Sequence, residues 1–312
     1  MPFWGTTLVG QNTKTWPAVA TLLLNAAIFG LAWWPFREID ALGLHSLWTT
    51  ALMYLIAATG LLIWQPGVLA MVARRRGLWV LAIAAGLTNA AFNWGVLIGE
   101  VIRVVLLFYL MPVWAALLAR MFLAEPITAV TVGRIAAAVG GAMLVLWQPG
   151  LGIPWPGSLG DWLGLAGGLC FAATNIALKR YADEPPQARA MAMFIGGLAL
   201  PGLLALVLDA SLVPWPAHPV GPWLIPSIGL TVIFIVANLC LQYGASRLPA
   251  NVTSVIMISE VVFASASAIL IGGEQAGWRT GIGAAMIVGA ALAAAWSAQQ
   301  RARGRSMQSQ SS

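Results

Sequence analysis

The side chain best suited to chemistry in this sequence is the carboxylate of Glu260, because it lies inside an apolar run over residues 250–271. An acid at the centre of a membrane-spanning helix costs about 2.5–3.5 kcal/mol to insert, so it should face a cavity or a partner. We interpret Glu260 as a proton-coupling or substrate-contacting carboxylate. The alternative is a protonated acid that hydrogen-bonds a neighbouring helix.

Six amide side chains inside apolar runs form a second group of candidates. Residues four apart share one face of a helix, and two pairs of these amides have that spacing. Amides both donate and accept hydrogen bonds, which suits zwitterionic or polyhydroxy ligands. They would serve equally well as interhelical bonds, worth about 0.6 kcal/mol each. The predicted substrate-binding amides are Asn25, Asn89, Asn93, Asn175, Asn238 and Gln242.

Trp94 and Tyr109 complete the predicted substrate-binding set, with ordinary packing as the alternative for each. Tyr109 lies one turn before Pro112, which should kink its helix because proline lacks the backbone N–H. The sequence has no cluster of catalytic or metal-ligating residues and no phosphate-binding loop of the Walker type. We therefore expect no catalytic residue, no metal and no cofactor.

The composition defines the class of protein that must position these groups. Of 312 residues, 60% are hydrophobic and 8% are charged, whereas a soluble domain is about 25% charged. A spanning helix needs about 20 apolar residues, and ten such runs can be found. We predict an all-α polytopic membrane protein with ten transmembrane helices, near residues 17–34, 41–63, 78–98, 101–122, 128–147, 160–179, 188–208, 222–243, 250–271 and 276–297.

The basic residues predict the orientation. With the N-terminus in the cytoplasm, all Lys and Arg lie on the cytoplasmic side except Arg37, Arg103 and Arg279, as the positive-inside rule requires. We expect a protein of the cytoplasmic (inner) membrane with both termini cytoplasmic and a disordered basic tail over residues 298–312. Because the positive charges lie between apolar runs, the bilayer is the expected partner and nucleic acid is not.

The chain matches itself when it is shifted by 149 residues, which predicts two five-helix repeats over residues 17–147 and 158–297. Five is an odd number, so the second repeat would enter the membrane inverted. Inverted repeats are typical of transporters whose site lies at the midplane between the repeats. The shift places Val113, Ala119, Glu125 and Trp147 on Val262, Ala268, Glu274 and Trp296.

Four segments carry a resemblance to a known family: LMPV at 110–113, FLAEP at 122–126, SEVV at 259–262 and IGGE at 271–274. With the two five-span repeats, they resemble the drug/metabolite transporter superfamily, and the EamA-type repeat most closely. The family often has Glu-Pro-Val at the start of this block, whereas this chain has Met111 for the Glu and Val261 for the Pro. The resemblance implies export or exchange of small metabolites, frequently amino acids, by alternating access.

The expected function is a secondary active transporter, a permease or exporter, that moves a small metabolite such as an amino acid and is coupled to protons. The alternatives are a passive facilitator or exchanger of metabolites or cationic drugs, a channel, and a membrane-embedded enzyme. Faces of small residues would support the repeat interface or a homodimer; they comprise Gly133, Ala137 and Gly141 in one half and Gly281, Ala285, Gly289 and Ala293 in the other.

Overall fold

The computed structural model describes residues 15–123, 127–147, 155–181, 183–216, 221–245, 250–290 and 292–293, and these are helical without any strand. The predicted tail, 298–312, lies outside the described residues. The helices are α1 (Thr15–Leu31), α2 (Trp33–Ala41), α3 (Ser46–Trp64), α4 (Val68–Ala73), α5 (Arg76–Ile98), α6 (Val101–Phe108), α7 (Met111–Leu123), α8 (Ala129–Leu146), α9 (Leu159–Arg180), α10 (Pro186–Val207), α11 (Leu224–Ala245), α12 (Ala250–Leu270) and α13 (278–290).

Seven helical stretches of the described chain are long and apolar enough to cross a membrane. They include α1 together with α2, and α6 together with α7, each pair counted as one span. Two shorter apolar helices, Ala129–Val145 and Ser259–Leu270, accompany them. The protein is therefore an all-helical, multi-pass membrane protein.

A proline lies four residues after each of the two points where a span is divided. Pro112 has no N–H for the carbonyl of Phe108, four residues earlier, and α6 ends at Phe108. Pro35 has the same relation to Leu31, where α1 ends. The kink expected near Tyr109 is therefore present, as a break between α6 and α7. Proline alone does not cause such a break, because α10 continues through Pro201.

Glycines of α9 bring its backbone close to α6 and to the end of α5. A Cβ atom added at Gly164 would lie 2.8 Å from the carbonyl oxygen of Val104, and one added at Gly160 would lie 2.7 Å from the Cα of Gly99. Helices in lipid gain little from hydrophobic burial, so close contact between small residues contributes much of their attraction. This stripe, which continues at Gly168, was not among the small-residue faces predicted from the sequence.

Contacts at one end of the bundle show that α1 and α9 run in opposite directions. Arg37, in the helix that continues α1, donates to the carbonyl of Gly99. Gly160, at the beginning of α9, packs on the same Gly99. The chain therefore finishes its first span at the membrane face where α9 begins, and these two helices run in opposite directions.

The small-residue faces of α8 and α13 meet at one point. A Cβ atom at Gly141 would lie 2.7 Å from the carbonyl oxygen of Gly283. Nothing lies within 4 Å of the corresponding position at Gly133, Gly281 or Gly289. Contact between these helices thus uses Gly141 from the predicted set and Gly283 from outside it.

The close contact of α9 at Gly164 predicts different effects on thermal stability for two glycine-to-alanine substitutions. We expect Gly164→Ala to lower the thermal stability of the detergent-solubilised protein, because overpacking costs about 1–3 kcal/mol. Gly229→Ala, on α11 with nothing within 4 Å, should leave stability unchanged or raise it, since alanine favours helix by up to about 1 kcal/mol over glycine. Equal melting temperatures for the two variants would contradict the close α9–α6 contact.

Candidate functional site

The break between α6 and α7 positions the hydroxyl of Tyr109 beside the carboxylate of Glu260 on α12. Tyr109 is buried, and Glu260 is partly buried. A Cβ atom added at Gly30 of α1 would lie 2.8 Å from the Glu260 carbonyl oxygen. Two residues that the sequence indicated for separate reasons therefore meet where three helices come together.

Aromatic rings from three helices cluster around Phe108, which directly precedes Tyr109. The ring of Phe108 lies 4.7 Å from that of Phe92 on α5, 5.4 Å from that of Phe171 on α9 and 6.1 Å from that of Tyr109, measured between centroids. Phe92 and Phe171 were not predicted from the sequence, because aromatic residues within an apolar run carry no signal of their direction. Together the rings form an apolar wall beside a polar pair.

Asn89 and Asn93 share a face of α5, as their spacing predicts, and that face contacts α3. The Tyr54 hydroxyl donates to Asn89 Oδ1 at 2.9 Å, and Asn93 Nδ2 donates to Thr50 Oγ1 at 2.9 Å. Asn89 also donates to the carbonyl of Ala85. Both side chains thus join α5 to α3 by hydrogen bonds in this structure.

The other four amides lie in different surroundings. Asn25 is buried and donates to the Ala237 carbonyl on α11 at 2.8 Å, while its Oδ1 has no hydrogen-bond partner among the described residues. Asn238 is exposed and donates to Phe234 of its own helix. Asn175 is exposed on α9, and the side chain of Gln242 lies outside the described residues.

Trp94 is buried between α3, α5 and α10, where it packs with Leu47 and Ala205. Its ring lies 6.0 Å from the imidazole of His45 in an edge-to-face arrangement. His45 precedes α3, and its Nδ1 accepts from the backbone N–H of Leu47. The contacts of Trp94 are those of a packed side chain at the end of the bundle.

An ion pair between Arg103, at the start of α6, and Asp161, at the start of α9, was not predicted from the sequence. Arg103 forms two hydrogen bonds with Asp161, at 3.2 and 2.8 Å, and a longer ion pair with Glu100, at 3.8 Å. Asp161 also belongs to a capping box with Ser158. The Ser-x-x-Asp spacing could have revealed Asp161 as a helix start. No group of three metal-ligating side chains occurs in the described ranges.

Fold and site together define a multi-pass helical membrane protein with a polar pair beside a break in a spanning helix. Residues 158–296 match the model of the EamA-like transporter family. The match, over less than half of the chain, supports the resemblance drawn from the sequence to the drug/metabolite transporter superfamily.

Comparison with other proteins adds evidence about the fold alone. Thirteen chains of solved structures match this one. One of them, a crystal structure, is 16% identical and has a TM-score of 0.57, over 91% of this chain and 98% of its own. No curated protein sequence matches the chain.

The surroundings of the amides predict different results for two alanine substitutions. Asn89→Ala should lower thermal stability, because it removes an interhelical bond worth about 0.6 kcal/mol and leaves the Tyr54 hydroxyl unpaired. Asn238→Ala should leave the melting temperature unchanged, because Asn238 bonds within its own helix and to no other helix among the described residues. The comparison uses both purified variants in the same detergent. A loss of stability on Asn238→Ala as large as on Asn89→Ala would refute this assignment.

Proposed function

We propose that the protein is a secondary active transporter that moves a small metabolite, such as an amino acid or a related amine, by alternating access. The observation that carries the proposal is the proximity of the Tyr109 hydroxyl to the Glu260 carboxylate beside a break in a spanning helix. In this proposal Glu260 is the proton-coupling carboxylate. Discontinuous helices and midplane sites are typical of secondary transporters.

The chemistry of the pair suits exchange. A deprotonated carboxylate attracts an ammonium group, whereas a protonated one is neutral and can share its hydrogen bond with the tyrosine hydroxyl. One carboxylate cannot hold a proton and an ammonium group at full strength together, so binding of one favours release of the other. The wall formed by Phe92, Phe108 and Phe171 would accept the apolar part of the same ligand.

The proposal includes ten spans in two inverted repeats, residues 17–147 and 158–297. It is supported by the opposite directions of α1 and α9. It is also supported by two interhelical polar contacts that correspond under the 149-residue shift, since the shift places Asn25 on Thr174 and Thr88 on Ala237. Asn25 of α1 bonds to Ala237 of α11, and the hydroxyls of Thr174 on α9 and Thr88 on α5 lie 3.4 Å apart.

The predicted substrate-binding roles of the amides and Trp94 remain part of the proposal. The unpartnered Oδ1 of Asn25 is the amide atom best placed to accept from a ligand. Asn89 and Asn93 would have to exchange their bonds to α3 for bonds to substrate in another conformation. We propose the cytoplasmic membrane as the location, with both termini in the cytoplasm.

Replacement of Glu260 provides the test of coupling. In vesicles containing the purified protein, a pH gradient should drive uphill accumulation from a pool of the twenty labelled amino acids. Glu260→Gln should lose at least about tenfold of this accumulation, because glutamine can neither bind nor release the proton. The same measurement on Tyr109→Phe should show slower but still coupled transport.

The matched control for this experiment is Glu100→Gln, because Glu100 is an acid exposed at the bundle end and should be dispensable for accumulation. Undiminished uphill accumulation by Glu260→Gln at every pH would overturn the role of Glu260. Counterflow by the native protein without uphill accumulation would identify a passive facilitator. No transport of any amino acid would overturn the proposed substrate class.

A further inference from the structure

Arg37 binds the C-terminal end of α5 from another part of the chain. Its Nη2 donates to the Gly99 carbonyl at 2.7 Å, and its Nε donates to the Val96 carbonyl at 3.2 Å. The last carbonyls of a helix have no partner within the helix and carry the negative end of its dipole. A guanidinium group can donate to these free carbonyls, and its positive charge is attracted to the negative end of the dipole.

Glu274 binds the beginning of the next helix in the complementary way. Its two carboxylate oxygens accept from the backbone N–H groups of Val101 and Ile102, at 2.7 and 3.1 Å. These are the first two residues of α6, and α6 has no side-chain cap of its own. Gly273, with φ +69°, provides the turn that presents Glu274. Arg37 and Glu274 also lie 3.9 Å apart.

Both side chains are anchored in the same group of helices, α1, α2 and α12. The Arg37 guanidinium lies 4.9 Å from the ring centroid of Trp33, whose Nε1 donates to Ser267 Oγ on α12 at 2.9 Å. The backbone N–H of Glu274 donates to the Ala268 carbonyl. Gly30 adds a close backbone contact between α1 and α12. We call this group the first body.

The helix ends that Arg37 and Glu274 bind belong to a different group, α5, α6 and α9. Gly160 and Gly164 hold α9 against Gly99 and Val104. The two hydrogen bonds of Arg103 with Asp161 also join α6 to α9. We call this group the second body. The four hydrogen bonds of Arg37 and Glu274 therefore cross from one body to the other at a single end of the bundle.

We propose that Arg37 and Glu274 form a releasable clamp that holds this membrane face closed, and that its release from the α5–α6 turn admits or discharges substrate. The inference rests on the proposed alternating-access function. Four bonds to backbone groups hold the closed position firmly, yet every one of them can be replaced by water when the bodies separate. The orientation of the basic residues makes this face the extracytoplasmic one.

The test is the accessibility of a reporter cysteine one turn from the clamp. Val105, on α6, is 3% exposed; Val105→Cys is made together with Cys170→Ser and Cys240→Ser. A hydrophilic maleimide should label this cysteine slowly in nanodiscs. Adding Glu274→Gln should raise the labelling rate about tenfold, as expected for the loss of one charge-assisted hydrogen bond. Arg37→Met, made separately, removes two such bonds and should raise the rate at least as much. Glu100→Gln, the matched control, should not change the rate.

Exchanging the charges of Arg37 and Glu274 distinguishes a clamp on the helix ends from a simple ion pair between the two side chains. In the double variant Arg37→Glu with Glu274→Arg, the two side chains could still attract one another. Each would, however, face a helix end of its own sign. The clamp therefore predicts fast labelling in the double variant, and restoration of slow labelling would overturn it. Unchanged labelling in both single variants, with a lowered melting temperature, would also overturn it by showing a purely structural role.

A second measurement does not depend on a buried reporter. Spin labels at Leu42, which follows α2, and Leu159, which begins α9, occupy exposed positions of the two bodies. Glu274→Gln should add a population with a longer distance between the labels, and the absence of any change would contradict the clamp. Neither experiment needs a substrate. A protein that opens as expected but transports no amino acid would refute the proposed function while retaining the clamp.

Discussion

The constraint on which this structure depends is the weakness of hydrophobic attraction between helices that are already surrounded by lipid. Association must then come from close contact and from a few polar bonds. The described helices show both. Glycines at 160 and 164 allow α9 to touch the backbone of its neighbours, and single polar bonds such as that of Asn25 to Ala237 fix the crossings. Substitutions at these points should therefore lower the stability of the helix bundle, and any effect on transport should follow from that loss.

Because the helices carry few polar side chains, the break at Tyr109 matters: it brings two of them together. Pro112 cannot bond to the Phe108 carbonyl, so α6 ends there and the next residue, Tyr109, is directed to Glu260. A backbone feature thus positions the Tyr109 side chain, directly after α6, against the carboxyl group of Glu260 on α12. The aromatic rings around Phe108 lie next to Tyr109 on one side. Polar chemistry in this fold depends on local disruption of helical structure.

Some of this arrangement could be predicted from the sequence because its causes are local. Pro112 predicts the break, and the spacing of Asn89 and Asn93 predicts their shared face. The contacts of Glu274 with α6 and of Asp161 with Arg103 could not be predicted, because they join residues far apart in the chain. In helices that are apolar on every side, periodicity does not indicate which face meets which neighbour. For the same reason, the sequence did not show that the face of Asn89 and Asn93 contacts α3.

The most direct test of the account is the infrared spectrum of the protonated Glu260 carboxyl, isolated as the band that Glu260→Gln removes. If Tyr109 and Glu260 form the coupling site, Tyr109→Phe should move this band to higher frequency, because a hydrogen bond to the carboxyl group is lost. Addition of a transported amine should reduce the band as the proton leaves. A band that is insensitive both to Tyr109→Phe and to the amine would contradict the central claim.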